Sequence, residues 1–324
     1  MSNPILFSIS DNRENFVDKL KTVCDSFSVN TVLYKTHFGS VNMQKFSDGE
    51  LCVDFSESVR GKKIYILSSF NNSDEIVKLM LAIDAAKRAN AVEIIPILPY
   101  YIYARGDKKD QSRGPIGAKV MAKMIESAGA TSVILFDLHA DQIQGFFDIP
   151  VMHIDGKNVF DNYIVSVCNG NTILCSPDAG SGKRVQRYKK HLAKHFGVNL
   201  SYVMAEKIRS GPNEVEEIII IGDVTGKDVI IIDDLIDTAG TLCTAAKSLL
   251  DKGAKSVRAV ISHPILSGPA YERISNSSLT ELVVSDSLES KPNEKIKVIS
   301  VADQISRAIT AFNSGLSYTE IKNE

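Results

Sequence analysis

Tryptophan is absent from the chain, and cysteine occurs only five times in 324 residues. The five (Cys24, Cys52, Cys168, Cys175 and Cys243) are odd in number, widely spaced and include no Cys-x-x-Cys pair. That pattern argues against a disulfide framework and against a zinc site. Long apolar runs are also lacking. Val92 to Leu98 and Ile218 to Ile221 are strand-length and bounded by charge or glycine, well short of the roughly 20 residues of a membrane helix. Neither sign of charge dominates: 37 Lys and Arg against 39 Asp and Glu leave a formal charge of −2. There is thus no global pull toward nucleic acid. Met1-Ser-Asn-Pro4 carries no basic leader and no apolar core follows it, so no signal peptide is expected and a cytoplasmic location is the default.

What is present is a well-packed composition, 44% hydrophobic and 23% charged, at a length that suggests two domains. Continuously aliphatic segments alternate with amphipathic ones. Ile64–Ser69, Val92–Pro99 and Ser132–Leu138 read as strands, with helices at 74–89 and 115–128, the latter with Pro115 in its first turn. The second half repeats the rhythm: strands at 172–176, 229–232, 257–262, 282–284 and 298–300, and helices at 158–167, 182–196, 241–252, 270–275 and 302–312. Buried aliphatic strands separated by helices imply parallel sheets covered on both faces. The expected fold class is therefore α/β, with two similar domains, each a parallel sheet flanked by helices. The division is placed at residues 1–152 and 153–324, and the last helix is one that can pack back on the N-terminal domain.

The segment Val229-Ile-Ile-Ile-Asp-Asp-Leu-Ile-Asp-Thr-Ala-Gly-Thr-Leu242 carries the most chemistry. Four aliphatics make a buried strand, and ligands bind at the carboxyl ends of such strands. Asp233 and Asp234, placed where that strand ends, can accept hydrogen bonds from adjacent sugar hydroxyls. Asp237, Thr238, Ala239, Gly240 and Thr241 then open a helix, whose amides and hydroxyls suit a phosphate. One loop could thus hold both ends of a phosphorylated ribose. The same acids could instead cap the helix, with Gly240 only making the turn.

Four further segments stand out: Lys45-Phe-Ser-Asp-Gly-Glu50, Tyr103-Ala-Arg-Gly-Asp-Lys-Lys-Asp110, Asp137-Leu-His-Ala-Asp-Gln-Ile-Gln-Gly-Phe-Phe147 and Ser176-Pro-Asp-Ala-Gly180. Together with the loop they make the chain resemble the ribose-phosphate pyrophosphokinase family, of the type I phosphoribosyltransferase fold, from about Phe46 to Phe312. The resemblance implies transfer of pyrophosphate from ATP to the 1-hydroxyl of ribose 5-phosphate, giving phosphoribosyl pyrophosphate (PRPP) and AMP, with Mg2+. It implies that Asp233, Asp234, Asp237, Thr238, Ala239, Gly240 and Thr241 hold ribose 5-phosphate. Arg105, Gly106, Asp107 and His139 fall at the ATP site, and His139 and Asp178 at magnesium-linked positions. Magnesium prefers oxygen ligands, so His139 is expected to act through water or the triphosphate and Asp178 directly. Phe46, Asp48 and Glu50 match a loop that reaches the adenine part of the ATP site of a neighbouring subunit, which implies at least a dimer and, by resemblance, a hexamer. Lys207 and Arg209, in Glu206-Lys-Ile-Arg-Ser-Gly-Pro-Asn213, match a catalytic Lys-x-Arg pair on a mobile loop. Catalysis of phosphoryl chemistry by positioning and cations suits such a pair. The basic stretch Lys183 to Lys194 lacks any nucleic-acid module and reads as a solvated face, with Lys183 and Arg184 near a phosphate site.

The chain also departs from the family pattern. Gly106 stands where glutamine is usual. Ser181 replaces the second glycine of Asp-Ala-Gly-Gly, harmlessly if its φ is negative. Met152 and His153 follow Pro150-Val151 at a regulatory nucleotide site, where many relatives carry Asp-Asn. Ser58, Arg60 and Gln144 do match regulatory phosphate positions, while the tail from Asn313 is short. Two alternatives follow: a catalytically weak regulatory subunit, and a PRPP-consuming phosphoribosyltransferase.

Overall fold

The computed structural model describes residues 4–11, 13–26, 28–29, 32–33, 35–70, 72–178, 180–208 and 217–322. The chain divides into two compact units, 1–155 with 300–324, and 156–299.

The first unit opens with β1 (Ile5–Ser8), α1 (Glu14–Ser26), a two-residue ladder of β2 (Ser28–Val29) with β3 (Val32–Leu33), and β4 (His37–Phe38). An antiparallel hairpin follows, β5 (Val41–Lys45) with β6 (Leu51–Phe55). Then come β7 (Lys63–Leu67), α2 (Ser73–Arg88), β8 (Glu93–Leu98), α3 (Gly117–Ala128), β9 (Val133–Phe136), a 3-10 turn at Asp141–Phe146, and β10 (Val151–Ile154). The sheet order is β10-β9-β8-β7-β1-β4, parallel throughout. Ile64, Ile66, Leu98, Val133 and Leu135 meet Leu79, Ile83, Met121 and Ile125 in one apolar cluster, which explains why these strands read as unbroken aliphatic runs. Asn72 caps α2, its side chain accepting from the Glu75 amide at 3.2 Å, and Asp74 and Glu75 occupy the first turn.

The second unit contains α4 (Lys157–Val167), β11 (Thr172–Ser176), α5 (Gly182–Phe196), β12 (Tyr202–Ile208), β13 (Glu217–Ile221), β14 (Asp228–Ile236), α6 (Gly240–Asp251), β15 (Ser256–Pro264), α7 (Ala270–Ser275), β16 (Glu281–Ser285) and β17 (Ile296–Ile299). Its order is β13-β12-β11-β14-β15-β16-β17, parallel except for β12 against β13. Val229, Ile231, Ala259, Ile261 and Leu282 form the core with Leu242, Ala245 and Leu249 of α6. The chain then returns to the first unit as α8 (Ala302–Ser314) and α9 (Tyr318–Lys322). There Tyr65 donates to Asn313 Oδ1 at 2.7 Å and Lys63 Nζ to the Phe312 carbonyl at 2.7 Å. The break at 152/153 drawn from sequence spacing cuts into β10, which completes the first sheet, so the division falls at 155/156; residues 300–324 group with the first unit, the return that the sequence reading allowed for the last helix. Among the described residues no helix is long and apolar enough to cross a membrane.

Two boundaries differ from the pattern reading. Pro115 lies outside α3, whose N-cap is Ile116. The helix is instead tied from a distance, the Ala118 amide donating to the Gly106 carbonyl at 3.1 Å. Strand β14 runs four residues past Ile232, because β15 continues to pair with it as far as Ile236 opposite Pro264.

Gly39, just before the hairpin, donates its amide to the Leu6 carbonyl at 2.9 Å. A Cβ there would lie 2.4 Å from Phe7 Cε1 and 2.9 Å from Ile5 Cγ2, both on the buried strand β1. Gly39→Ala should therefore destabilise the protein by about 1–3 kcal/mol, seen as a lower urea midpoint at unchanged slope. An unshifted midpoint would show that β1 gives way freely.

Candidate active site

In the second unit the site starts from a mismatch of strand lengths. The register of β11 on β14 ends at Cys175 opposite Ile231, whereas β14 continues to Ile236. Asp233 and Asp234 therefore extend past β11 and face the turn that leads into α5. That turn is tightly bonded. Ser176 Oγ donates to the Asp178 carbonyl at 2.5 Å, and the Ser181 amide to Asp178 Oδ1 at 2.7 Å. Ser181 Oγ donates to Asp233 Oδ1 at 3.0 Å, and the Asp234 amide donates to the same oxygen at 3.0 Å. Asp178, Asp233 and Asp234 are thus gathered at one strand end, with Asp178 exposed and Asp234 buried. Burial, first, and the neighbouring Asp234 and Asp178 charges push the Asp233 carboxyl up to about 8, against the counteracting charge of Arg184.

Beyond Ile236 the chain turns sharply. Ala239 holds φ 62, in the left-handed region, and acts as N-cap of α6 without a side-chain cap bond. A non-glycine residue there stores of order 1 kcal/mol, as loops at ligand sites commonly do. The turn is braced from outside. Ser267 donates its hydroxyl to Asp237 Oδ1 and its amide to the Asp237 carbonyl at 3.1 Å, and Arg273 Nη1 donates to the Thr238 carbonyl at 3.0 Å. The first helical bond runs from the Cys243 amide to the Ala239 carbonyl, 3.0 Å. The amides ahead of it, with the exposed Thr238 and Thr241, lie at the positive end of the α6 dipole. This end can take an anion, and the acids before it can accept from hydroxyls.

Lys207 lies in β12, opposite Ile218 of β13 in the antiparallel register, and not in a loop as the Ser-Gly-Pro-Asn signal suggested. Arg209 and the rest of that segment lie outside the described residues.

In the first unit the singled-out residues again follow strand ends. Arg105, Gly106 and Asp107 sit in the turn after β8. The Gly106 amide donates to the Tyr103 carbonyl at 2.9 Å, and a Cβ on Gly106 would stand 3.3 Å from the Gly117 amide. Glycine at this position thus accompanies a close approach between the turn and the start of α3. After β9, the buried Asp137 takes φ 40, its amide donating to the Ile154 carbonyl at 2.8 Å. The next amide, of Leu138, donates to His153 Nε2 at 3.1 Å, and His139 emerges exposed. Phe46, Asp48 and Glu50 form the exposed tip of the β5–β6 hairpin, shaped by Gly49 at φ 94 and by the Glu50 amide on Asp48 Oδ1 at 3.1 Å. Ser58 and Arg60 are exposed in the turn after β6, and Gln144 sits in the 3-10 turn, its amide 3.4 Å from His153 Nδ1.

Comparison with known proteins decides the family. Residues 9–129 match the N-terminal domain of ribose phosphate pyrophosphokinase, and residues 200–321 a phosphoribosyl synthetase-associated domain. The chain is 44% identical over 286 residues to the ribose-phosphate pyrophosphokinase of Porphyromonas gingivalis, covering 87% of this chain and 90% of that protein. It is 47% identical over 270 residues to the enzyme of the same name from Helicobacter hepaticus, covering 82% and 85%. The crystal structure of phosphoribosylpyrophosphate synthetase from Mycobacterium smegmatis superposes with TM-score 0.86 at 32% identity, over 97% of this chain and 100% of that one. The chain belongs to the ribose-phosphate pyrophosphokinase family. It is an enzyme, and its two parallel sheets are those of the family's type I phosphoribosyltransferase fold.

Within that family frame, three features were not visible from motif reading. Ser181 adopts φ −76, so replacing glycine brings no left-handed strain, and its hydroxyl goes to Asp233. Arg184, placed from sequence near a phosphate site on an otherwise solvated basic face, is only 5% exposed, and its charge counteracts the upward push on Asp233. Ser267 and Arg273 brace the Asp237–Thr238 turn from 30 and 35 residues away. The buried alternation of α5 could have revealed Arg184; nothing local in sequence points to the other two.

A carboxyl whose folded value lies above its ordinary 3.8 binds more protons folded than unfolded. Its contribution to stability therefore falls as pH rises from about 4 toward about 8. Asp233→Asn removes that loss. Measured by thermal unfolding in EDTA, the Tm of the variant relative to the original should rise between pH 5 and pH 8. A difference independent of pH would show that the carboxylate is not held against its preference.

Proposed function

We propose that the protein transfers the pyrophosphoryl group of ATP to the 1-hydroxyl of ribose 5-phosphate, releasing AMP and forming PRPP, with Mg2+. The observation that carries this reading is the continuous run of β14 acids, Ala239 turn and α6 N-terminus. It offers hydroxyl acceptors and an anion site in one loop of nine residues, Asp233 to Thr241. In this reading Asp233 and Asp234 accept from the ribose diol, while the amides of Gly240 and Thr241 and the Thr238 and Thr241 hydroxyls hold the 5-phosphate. Asp237 is held by Ser267 and fixes the turn. The family-matched Arg105, Asp107 and His139 engage the nucleotide, and Lys207 and Arg209 supply positive charge where the transferred phosphoryl oxygens become more negative. The exposed Phe46, 45% accessible at its hairpin tip, supports a role for that hairpin in a neighbouring subunit's nucleotide site, and hence a self-associating protein.

The donor set fits magnesium. Asp178, exposed beside Asp233 and Asp234, presents carboxylate oxygens of the kind this ion prefers. Among the described residues no group of three His, Cys, Asp or Glu side chains forms a ready cage. A bound magnesium would complete its shell with water and phosphate oxygens, as this ion usually does, and would neutralise triphosphate charge. Asp178 would meet it through its carboxylate; for His139, in the first unit, a magnesium link is carried by the family resemblance alone, through water or phosphate.

The purified protein given ribose 5-phosphate, ATP and magnesium should release AMP in step with loss of ribose 5-phosphate. Release should stop when the sugar phosphate is omitted or EDTA is added. ADP as the nucleotide product, or no product from folded protein with or without inorganic phosphate, would overturn the reading.

A further inference from the structure

Ser181 occupies the N-cap of α5 with φ −76 and ψ −6, yet its side chain makes no capping bond to its own helix. A serine in this position ordinarily turns its hydroxyl to the amides two or three residues on, worth about 1 kcal/mol to the helix. Here the hydroxyl instead reaches 52 residues along the chain, to Asp233 Oδ1 at 3.0 Å. Its backbone meanwhile donates to Asp178 Oδ1 at 2.7 Å. One residue therefore ties together the two acid-bearing segments of this unit. Asp233 Oδ1 also accepts the Asp234 amide at 3.0 Å. Two donors on one oxygen fix the rotation of the carboxyl group. With only the backbone donor, which belongs to the adjacent residue, the carboxyl plane could turn about its last torsion, a soft and nearly two-fold one.

We propose that Ser181 is a positioning residue of the sugar-phosphate site: its hydroxyl orients the Asp233 carboxylate to accept from a ribose hydroxyl, while its amide holds Asp178 in place. This rests on the reading of the β14–α6 loop as a ribose 5-phosphate site. Two donors to one carboxylate oxygen leave the other oxygen aimed by the geometry of the first. A sugar hydroxyl then meets an acceptor whose orientation is already fixed and loses less freedom on binding.

The test separates the hydroxyl from the amide. Ser181→Ala deletes only the hydroxyl and keeps the Asp178 bond, Ser181→Gly deletes the Cβ as well, and Ser181→Thr restores a hydroxyl. Binding of ribose 5-phosphate to the full-length chain is measured by calorimetry without ATP, alongside KM for each substrate in turnover. Loss of one hydrogen bond at a buried acceptor predicts about tenfold weaker ribose 5-phosphate binding in both Ala and Gly variants. KM for ribose 5-phosphate should rise in parallel, KM for ATP should stay within about twofold, and the Thr variant should bind within about twofold of the original. Original affinity in Ser181→Ala, an equal rise in both KM values, or a Thr variant as weak as Ala would each overturn the proposal. Failure of the unaltered protein to bind ribose 5-phosphate would instead remove the underlying site reading, and this proposal with it. If the Gly variant does not fold, the Ala and Thr comparison still decides.

Discussion

Asp178, in the turn after β11, and Asp233 and Asp234, on the part of β14 that runs past β11, are brought together, and keeping buried acids side by side is the constraint that the rest of the site answers to. Asp233 is the focus, its carboxyl pushed up to about 8 by burial and by its acidic neighbours. Arg184, buried on α5, offsets part of that charge, and Ser181 and the Asp234 amide supply donors. The arrangement is costly to keep and chemically useful. Clustered carboxyl oxygens are what a polyhydroxylated ligand or a divalent cation can engage, and stability given up for such a site is a common trade.

The geometry behind this is simple. A parallel sheet places its functional turns at the carboxyl ends of its strands, and both units use those ends. In the first, the turns after β8 and β9 carry Arg105 and His139; in the second, those after β11 and β14 carry Asp178 and Asp237. The difference lies in how each turn is stabilised. Around β14 the extra length of the strand exposes Asp233 to the α5 turn, and the long-range bonds from Ser267 and Arg273 hold the Asp237–Thr238 corner. Around β9 the strained Asp137 is tied to β10 and Leu138 to His153. His153, one of the chain's departures from the family pattern, is therefore part of the structure that presents His139.

Much of this was readable in the amino-acid pattern, and the failures have physical causes. The helices at Gly182–Phe196 and Ala270–Ser275 and the strand at Thr172–Ser176 sit where periodicity placed them, because their apolar faces are buried by local partners. β14 outran its aliphatic run because strand length is set by pairing with β15, which goes on past Asp233 and Asp234. Lys207 read as loop because glycine and proline follow it, yet antiparallel pairing with β13 keeps it in a strand. The first sixty residues offer short strands and a hairpin whose inward positions are only half-buried, so few strongly apolar residues mark its two-residue period. The sequence reading allowed the last helix to return to the first unit, but the contacts that hold α8 there, from Tyr65 and Lys63 some 248 and 249 residues away, lie outside any local window. The candidate site residues read from sequence all lie in contiguous motifs; the contacts made through space, from Ser181 to Asp233 and from Arg273 to Thr238, were not legible there.

The central claim is that one loop grips a phosphorylated sugar by both ends. Calorimetric titration of the magnesium-loaded protein with ribose 5-phosphate, ribose and inorganic phosphate separately tests it most directly. Simultaneous engagement of diol and phosphate predicts that ribose 5-phosphate binds at least about tenfold more tightly than either fragment, a difference of about 1.4 kcal/mol or more. Equal affinity for ribose 5-phosphate and inorganic phosphate would mean that the acids of β14 do not read the sugar, and would contradict the account.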